Sequence, residues 1–253
     1  MTAERRPGQP SLTAATMLQR ANVNISIASS VVLVFDAGLV PVRRAPRSKR
    51  DPQPFRAVGR AAPGVDIVAA QGPGAPTAAI TVEFLAALGV QDVICVGTAG
   101  ALTPQPGIGL DGSVGVVASA QSDEGTSQHY GGHRDPDPIL TSLLLGSRPD
   151  TSVVALTTDV PFRHTPDRLA SHRERADVIE MEVAAVFAAA KFFSMRAAAL
   201  VICSDVFGHG TRWDMLDAHD VAGGLRAGVN TAVSTLAGLQ APGQSSARTS
   251  RTS

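Results

Sequence analysis

The sequence predicts an α/β protein, a single three-layer α/β/α domain, on three observations. Short β-branched runs alternate with longer Ala- and Leu-rich segments, several of those runs are apolar throughout, and the chain is long enough to build one sizeable core. Its 253 residues and 26.0 kDa imply by area scaling that about 70% of the unfolded surface is buried on folding. Hydrophobic residues make up 44% and charged residues 17%, the composition of a globular chain and not of a disordered one.

Residues 1–10 and 241–253 are polar and rich in breakers, so they read as disordered tails around a domain over residues 11–240. Inside it, strands are expected at 30–35 (SVVLVF), 65–70 (VDIVAA), 93–96 (VICV), 113–119 (SVGVVAS), 152–156 (SVVAL) and 199–203 (ALVIC). Runs that do not alternate with polar residues belong to strands covered on both faces. Helices are expected at 76–88, 137–145, 182–193 and about 214–236, with the spacing of crossover connections. The first begins at Pro76 and has Gly89 just past its end, the usual asymmetry of helix termini. Before it, Gln71-Gly72-Pro73-Gly74-Ala75 is either a plain turn or a loop that brings backbone amides close to a ligand.

Lys+Arg 22 balances Asp+Glu 22, which excludes a nucleic-acid or membrane-surface footprint over the whole chain. The zero balance hides a cluster: Arg43, Arg44, Arg47, Lys49, Arg50, Arg56 and Arg60 share one stretch whose only acid is Asp51. Cys95 and Cys203 each sit in an apolar run and read as small core residues in a reducing compartment. Neither an apolar run of about 18 residues nor a signal-type apolar run at the start is present, so a soluble, cytoplasmic protein is expected. His133, His164, His172, His209 and His219 show no metal-ligand spacing, and no metal is expected.

Three segments put polar residues at the carboxyl ends of apolar strands, where ligands bind in open α/β sheets. In Val96-Gly97-Thr98-Ala99-Gly100 two glycines flank a hydroxyl; this is an anion or sugar seat, or simply a strand-to-loop turn. Glu180-Met181-Glu182 opens a helix, where its dipole and free amides stabilise carboxylates. One ionised carboxylate can hold a vicinal diol through two hydrogen bonds; the other is then structural. Ser204-Asp205 ends an apolar run, surroundings that suit a carboxyl able to deliver a proton near neutral pH, although a cap on the next turn would also use Asp205.

In order along residues 31–213, these segments resemble the nucleoside phosphorylase family, which includes purine nucleoside phosphorylases, uridine phosphorylases and methylthioadenosine-type nucleosidases. The resemblance rests on Gly72-Pro73-Gly74-Ala75-Pro76, Val96 to Gly100, Glu124-Gly125-Thr126-Ser127-Gln128-His129-Tyr130, Thr157 to Phe162, Glu180 to Glu182, and Ser204-Asp205. It implies a central mixed, partly barrel-like sheet flanked by helices and a homo-oligomer, dimer, trimer or hexamer. The ligand it implies is a small-molecule nucleoside, with phosphate as cosubstrate and no other cofactor. By resemblance, Glu182 holds the ribose diol, beside Glu180, and Met181 packs on the sugar. Thr98 faces the sugar–phosphate junction and Phe162 the base, while Asp205 with Ser204 serves purine N7. His129 either lines the ribose 5′ end or closes its loop, and Trp213 is expected to anchor the last helix.

The sequence departs from the family where phosphate is concerned. Cys95 stands where phosphorylases usually carry an arginine, Ser122-Asp123 stands where Arg-Asp often precedes the acidic loop, and Asp36-Ala37-Gly38 is not the usual Gly-Asp-Pro turn. A thiol does not replace a bidentate guanidinium. Three readings follow: a phosphorylase that seats phosphate with Thr98, Gly38 and Arg43 or Arg44; a hydrolase with Asp36 activating water; or a nucleoside binder without turnover. The uridine-type Gln and Arg are missing from Phe162-Arg163-His164-Thr165-Pro166, so a purine nucleoside is expected.

Overall fold

The computed structural model describes Pro10, Asn22 and residues 12–20, 25–39, 54–102, 112–147, 152–207 and 213–240. In chain order the elements are α1 (Ala14–Arg20), β1 (Ser30–Val34), β2 (Ala57–Ala62), β3 (Val65–Ala69), α2 (Ala75–Ala87), β4 (Asp92–Ala101), β5 (Val114–Asp123), α3 (Pro138–Ser147), β6 (Ser152–Thr158), α4 (Pro166–Arg173), β7 (Val178–Glu180), α5 (Val183–Phe192), β8 (Arg196–Phe207), β9 (Trp213–Met215) and α6 (Ala218–Leu239).

The nine strands form one mixed sheet in the order β2-β3-β1-β4-β7-β6-β5-β8-β9, and an additional pairing of β4 with β8 closes five of them into a ring. β1 lies between β3 and β4, parallel to both, and β2 runs antiparallel along β3 at the edge. The ring forms because β4 changes partners. Its first half pairs with β1, its whole length runs parallel to β8, and beyond Val96 the released edge meets β7 at Gly100 and Ala101.

Strand alternation sorts the core into two layers. Val31, Leu33, Val93, Cys95, Ala197 and Ala199 face the cluster that contains α2 and α5, whereas Val32, Val34, Ile94, Val96, Ala198 and Leu200 face the cluster that contains α3 and α6, as period-two side-chain alternation requires. α5 is apolar around its whole circumference, and Val183 to Ala190 are all buried, as expected of a helix packed on every side. Small Ala side chains let it approach α2 and β8 closely.

The expected strands and helices are present, with three kinds of difference. β4, β5 and β8 run past their apolar segments to Ala101, Asp123 and Phe207, because ring pairing continues into residues that line its mouth. β2, β7 and β9, with α1 and α4, add to the expected set; β7 and β9 have three residues each, too few to show a period. The last helix starts four residues later than expected. Trp213 to Met215 pair with β8 instead, and the Asp217 carboxylate caps α6 by accepting from the His219 and Asp220 amides. Arg43, Arg44, Arg47, Lys49 and Arg50 lie outside the described residues, as do both tails apart from Pro10. Among the described residues no helix is long and apolar enough to cross a membrane.

Phe187 is the largest fully buried side chain, so Phe187→Ala should lower the unfolding free energy by about 3–5 kcal/mol in urea denaturation.

Candidate active site

The carboxyl ends of β4, β6, β7 and β8 open on a cavity of about 460 Å³. β4 supplies Gly97 to Gly100, β7 and the turn after it supply Ile179 to Glu182, and β8 supplies Ser204 and Asp205. Phe35, Pro73, Thr158, Pro161, Phe162, His164, Trp213 and Met215 complete the wall. Among the described residues this lining holds three carboxylates and no lysine or arginine.

A register shift sets Asp205. Along the β4–β8 ladder Ala99 faces Cys203 but Gly100 faces Asp205, so Ser204 is an extra residue on β8. Such a bulge re-aims side chains beside a site; here it turns both Ser204 and Asp205 to the cavity. Ser204 Oγ donates to Asp205 Oδ1 at 2.6 Å, and the backbone of Gly100 leaves room for the acid. A Cβ at position 100 would stand 2.7 Å from the Trp213 ring and 2.8 Å from Asp205 Oδ2. Trp213 is held against the same spot by Phe207, with ring centroids 5.3 Å apart. It therefore belongs to the cavity wall rather than anchoring α6.

The two glutamates have separate tasks. Glu180 Oε2 accepts the amides of Glu182 at 2.6 Å and Val183 at 2.8 Å, which ties down the start of α5. Its Oε1 accepts from the Thr157 hydroxyl, which in turn accepts from the Ala184 amide at 2.8 Å. Glu182 Oε1 accepts the Gly74 amide at 2.6 Å, and the Met181 amide also hydrogen-bonds to this carboxylate. Gly74 adopts φ 105° and ψ 151°, a conformation that strains any residue with a Cβ. The Gly-Pro-Gly loop thus presents an amide to the Glu182 carboxylate.

Both acids are buried, Glu180 5% and Glu182 7% exposed. Burial and then the charge of Glu182 push the Glu180 carboxyl up to about 8 against its hydrogen bonds; burial raises Glu182 as well, opposed by amide hydrogen bonds. Cys95 is buried within β4 and does not line the cavity. Burial, Glu182 and Glu180 push its thiol well up, so it is an uncharged core residue and no anion ligand.

Of the residues singled out from sequence, Thr98, Phe162, Glu180, Met181, Glu182, Ser204 and Asp205 converge on this cavity. Phe162 is 97% exposed on the short turn Pro161–Arg163. Three do not converge. His129 lies with Tyr130 along a different depression, beside Phe192 and Phe193, because the turn Ser127–Tyr130 packs on α5 away from the strand ends. Gly38 lies in another depression near Arg60 and Arg226, and its amide already donates to Asp36 Oδ1 at 2.8 Å. Asp36 itself is not in the cavity wall. Arg43 and Arg44 fall outside the described residues.

Sequence reasoning missed His164, Thr158 and Trp213, which have no local pattern to mark them. It also missed that Asp123, His164 and His172 each bring a ligand atom within 4.8 Å of the others. They come from the end of β5, the turn after β6, and α4, so their spacing along the chain carries no metal signature.

Residues 56–233 match the family model described as the phosphorylase superfamily. A guanosine phosphorylase of Halorubrum lacusprofundi is 31% identical over 156 residues, which span 58% of this chain and 64% of that protein. Among solved structures, purine nucleoside phosphorylase of Toxoplasma gondii in complex with immucillin-H superposes with a TM-score of 0.68 at 20% identity, covering 85% of this chain and 92% of that one. Uridine phosphorylase of Vibrio fischeri gives 0.67 at 20% identity over 86% and 93%. AMP nucleosidase of Bacteroides thetaiotaomicron gives 0.63 at 15% identity over 85% and 90%. These structures share the fold of this chain.

Two measurements check the site's construction. Gly100→Ala should destabilise the protein by about 1–3 kcal/mol in urea, since the added methyl would overlap the Trp213 ring and the Asp205 carboxylate. Glu180 sits near 4.5 when unfolded and about 8 when folded, so the folded state holds more protons between those values. The associated stability is full below pH ~4.5 and lost as the pH rises through about 8. Glu180→Gln, with its oxygen toward the amides and its NH₂ toward Thr157, should flatten that decline in denaturation midpoints measured across this window.

Proposed function

The chain belongs to the phosphorylase superfamily, and from that membership we propose that it cleaves the N-glycosidic bond of a purine nucleoside, guanosine first, using phosphate and releasing the free base and ribose 1-phosphate. The observation that carries this reading is one cavity that holds a Ser204–Asp205 pair together with the buried carboxylate of Glu182.

The C1′–N9 bond breaks with its electron pair passing to the base, and a phosphate oxygen forms the new bond to C1′. Asp205, steadied by Ser204, delivers a proton to N7, so the leaving purine departs neutral. The Glu182 carboxylate accepts from the ribose 2′- and 3′-hydroxyls and holds the sugar while C1′ gains positive charge, which an anionic group beside it favours in a partly apolar cavity. Met181 packs on the sugar, Phe162 covers the base, and Glu180 positions Glu182 through the start of α5. Thr98, between Gly97 and Gly100, is the described group suited to phosphate. Arg43 or Arg44, on the segment that follows β1, is the cation assigned to it. The purine choice draws support from the guanosine phosphorylase relative.

A second reading, hydrolysis by water, is favoured by one specific observation: the position at which phosphorylases carry their arginine is the buried Cys95, and the described lining has no cation.

Incubation with guanosine, inosine, adenosine and uridine, with and without phosphate, distinguishes them by product. Phosphate-dependent release of guanine with ribose 1-phosphate is expected; free ribose at an unchanged rate without phosphate would establish hydrolysis, and tight binding with no base released would mark a binder. Asp205→Asn should lower kcat/KM for purine nucleosides about a hundredfold or more with folding intact, and near-normal turnover would remove Asp205 from the mechanism.

A further inference from the structure

We propose that Asp123, His164 and His172 bind one transition-metal ion of the zinc type, in the wall behind His164. One donor atom of each lies within 4.8 Å of the others, and His172 Nε2 stands 3.9 Å from Asp123 Oδ2, too far for a hydrogen bond. His172 is only 3% exposed. Its Nε2 and the Nδ1 of His164 are buried and have no hydrogen-bond partner. Two orphaned imidazole nitrogens beside one carboxylate are an unusual cost for a folded protein. A metal ion accepting all three satisfies them at once.

The surroundings fit this donor set. His164 Nε2 lies 3.1 Å from Thr158 Oγ1, which is also 3.4 Å from Asp123 Oδ2. Read as a relay, His164 Nε2–H donates to the hydroxyl and the hydroxyl donates to the carboxylate, leaving the Nδ1 lone pair free for metal. Outer hydrogen bonds of this kind fix the tautomer of ligating histidines.

Two arginines oppose the ion and define what must move. Arg168 Nη2 forks onto Asp123 at 3.0 and 2.8 Å; it keeps Oδ1 while the metal takes a lone pair of Oδ2. Arg175 Nη2 lies 3.0 Å from His172 Nδ1 and has to turn outward as the His172 proton shifts from Nε2 to Nδ1. Both arginine side chains are on the exposed surface of α4 and its end. Nitrogen and oxygen donors about 2.0–2.2 Å from a tetrahedral ion stand about 3.3–3.5 Å apart, so the three side chains contract modestly, and water fills the fourth position. Two imidazoles with one carboxylate select zinc-type ions over magnesium or calcium.

The test uses the untagged, chelator-treated full chain titrated with ZnCl₂ by calorimetry and with CoCl₂ by visible absorption. One equivalent per chain is expected, with a four-coordinate Co²⁺ band lacking thiolate charge transfer, and with affinity falling as the pH drops through the imidazole range. His172→Gln and Asp123→Asn should each weaken Zn²⁺ about a hundredfold or more. Absence of stoichiometric uptake overturns the proposal, as does an affinity in both variants unchanged from that of the unaltered chain, or a thiolate band. Should one variant fail to fold by circular dichroism, the other variant and the Co²⁺ spectrum of the unaltered chain decide. None of these readouts involves nucleoside cleavage.

Discussion

The parallel pairing of β4 with β8 closes five strands into a ring, and because the far part of β4 meets β7 antiparallel at Gly100 and Ala101, the end segments of β4, β6, β7 and β8 line one mouth. Every other feature of the site depends on that closure. Strands that stay in an open sheet spread their ends along a line, and residues separated by a hundred positions would then stay apart. Here Gly100 meets Asp205 by direct strand pairing, and Gly74 meets Glu182 across a sequence separation of 108 positions. The single bulge at Ser204 matters more than its size suggests, because without the extra residue the alternation of β8 would leave only one of the Ser204–Asp205 pair toward the mouth.

Within this frame the chain gathers acids where burial penalises charge. Glu180 resolves the conflict by becoming part of the backbone's own hydrogen bonding, since the first amides of α5 and the Thr157 hydroxyl need an acceptor there. That arrangement leaves Glu182 as the acid with capacity to spare. Two carboxylates two residues apart thus differ in task for a simple geometric reason: one turns back toward the helix end it precedes, and the other turns out toward the loop before α2. Burial, and after it the charges of Glu182 and Glu180, keeps the thiol of Cys95 protonated, so this residue is inert packing.

Much of this was legible in the sequence. Apolar runs such as SVVLV marked strands covered on both faces, and the polar residues that ended them, Thr98, Glu182 and Asp205, marked the site because strand ends are where backbone amides and loops leave room for ligands. The limits were equally physical. β7 has three residues, and its existence depends on β4 and β6 standing on either side, which no local pattern encodes. The last helix is expected from about residue 214 because its apolar run lies close behind, whereas the Asp217 cap starts it at Ala218 and leaves Trp213 on β9. His129 shares a loop with residues of a recognisable motif, yet the turn that carries it packs on α5, so nearness in sequence misassigned it. His164 and His172 sit on either side of a helix start and acquire meaning only when Asp123 arrives from another strand.

Trp213 has a consequence beyond shaping the wall. It is the chain's only tryptophan, it lines the cavity beside Asp205, and it touches Phe207 and the Gly100 backbone. The protein therefore carries a built-in optical reporter confined to one place: indole emission registers the polarity and stacking at the mouth of the ring, with no second indole elsewhere in the fold to dilute the signal. Occupancy of the cavity and melting of the distant layers become separable by light alone.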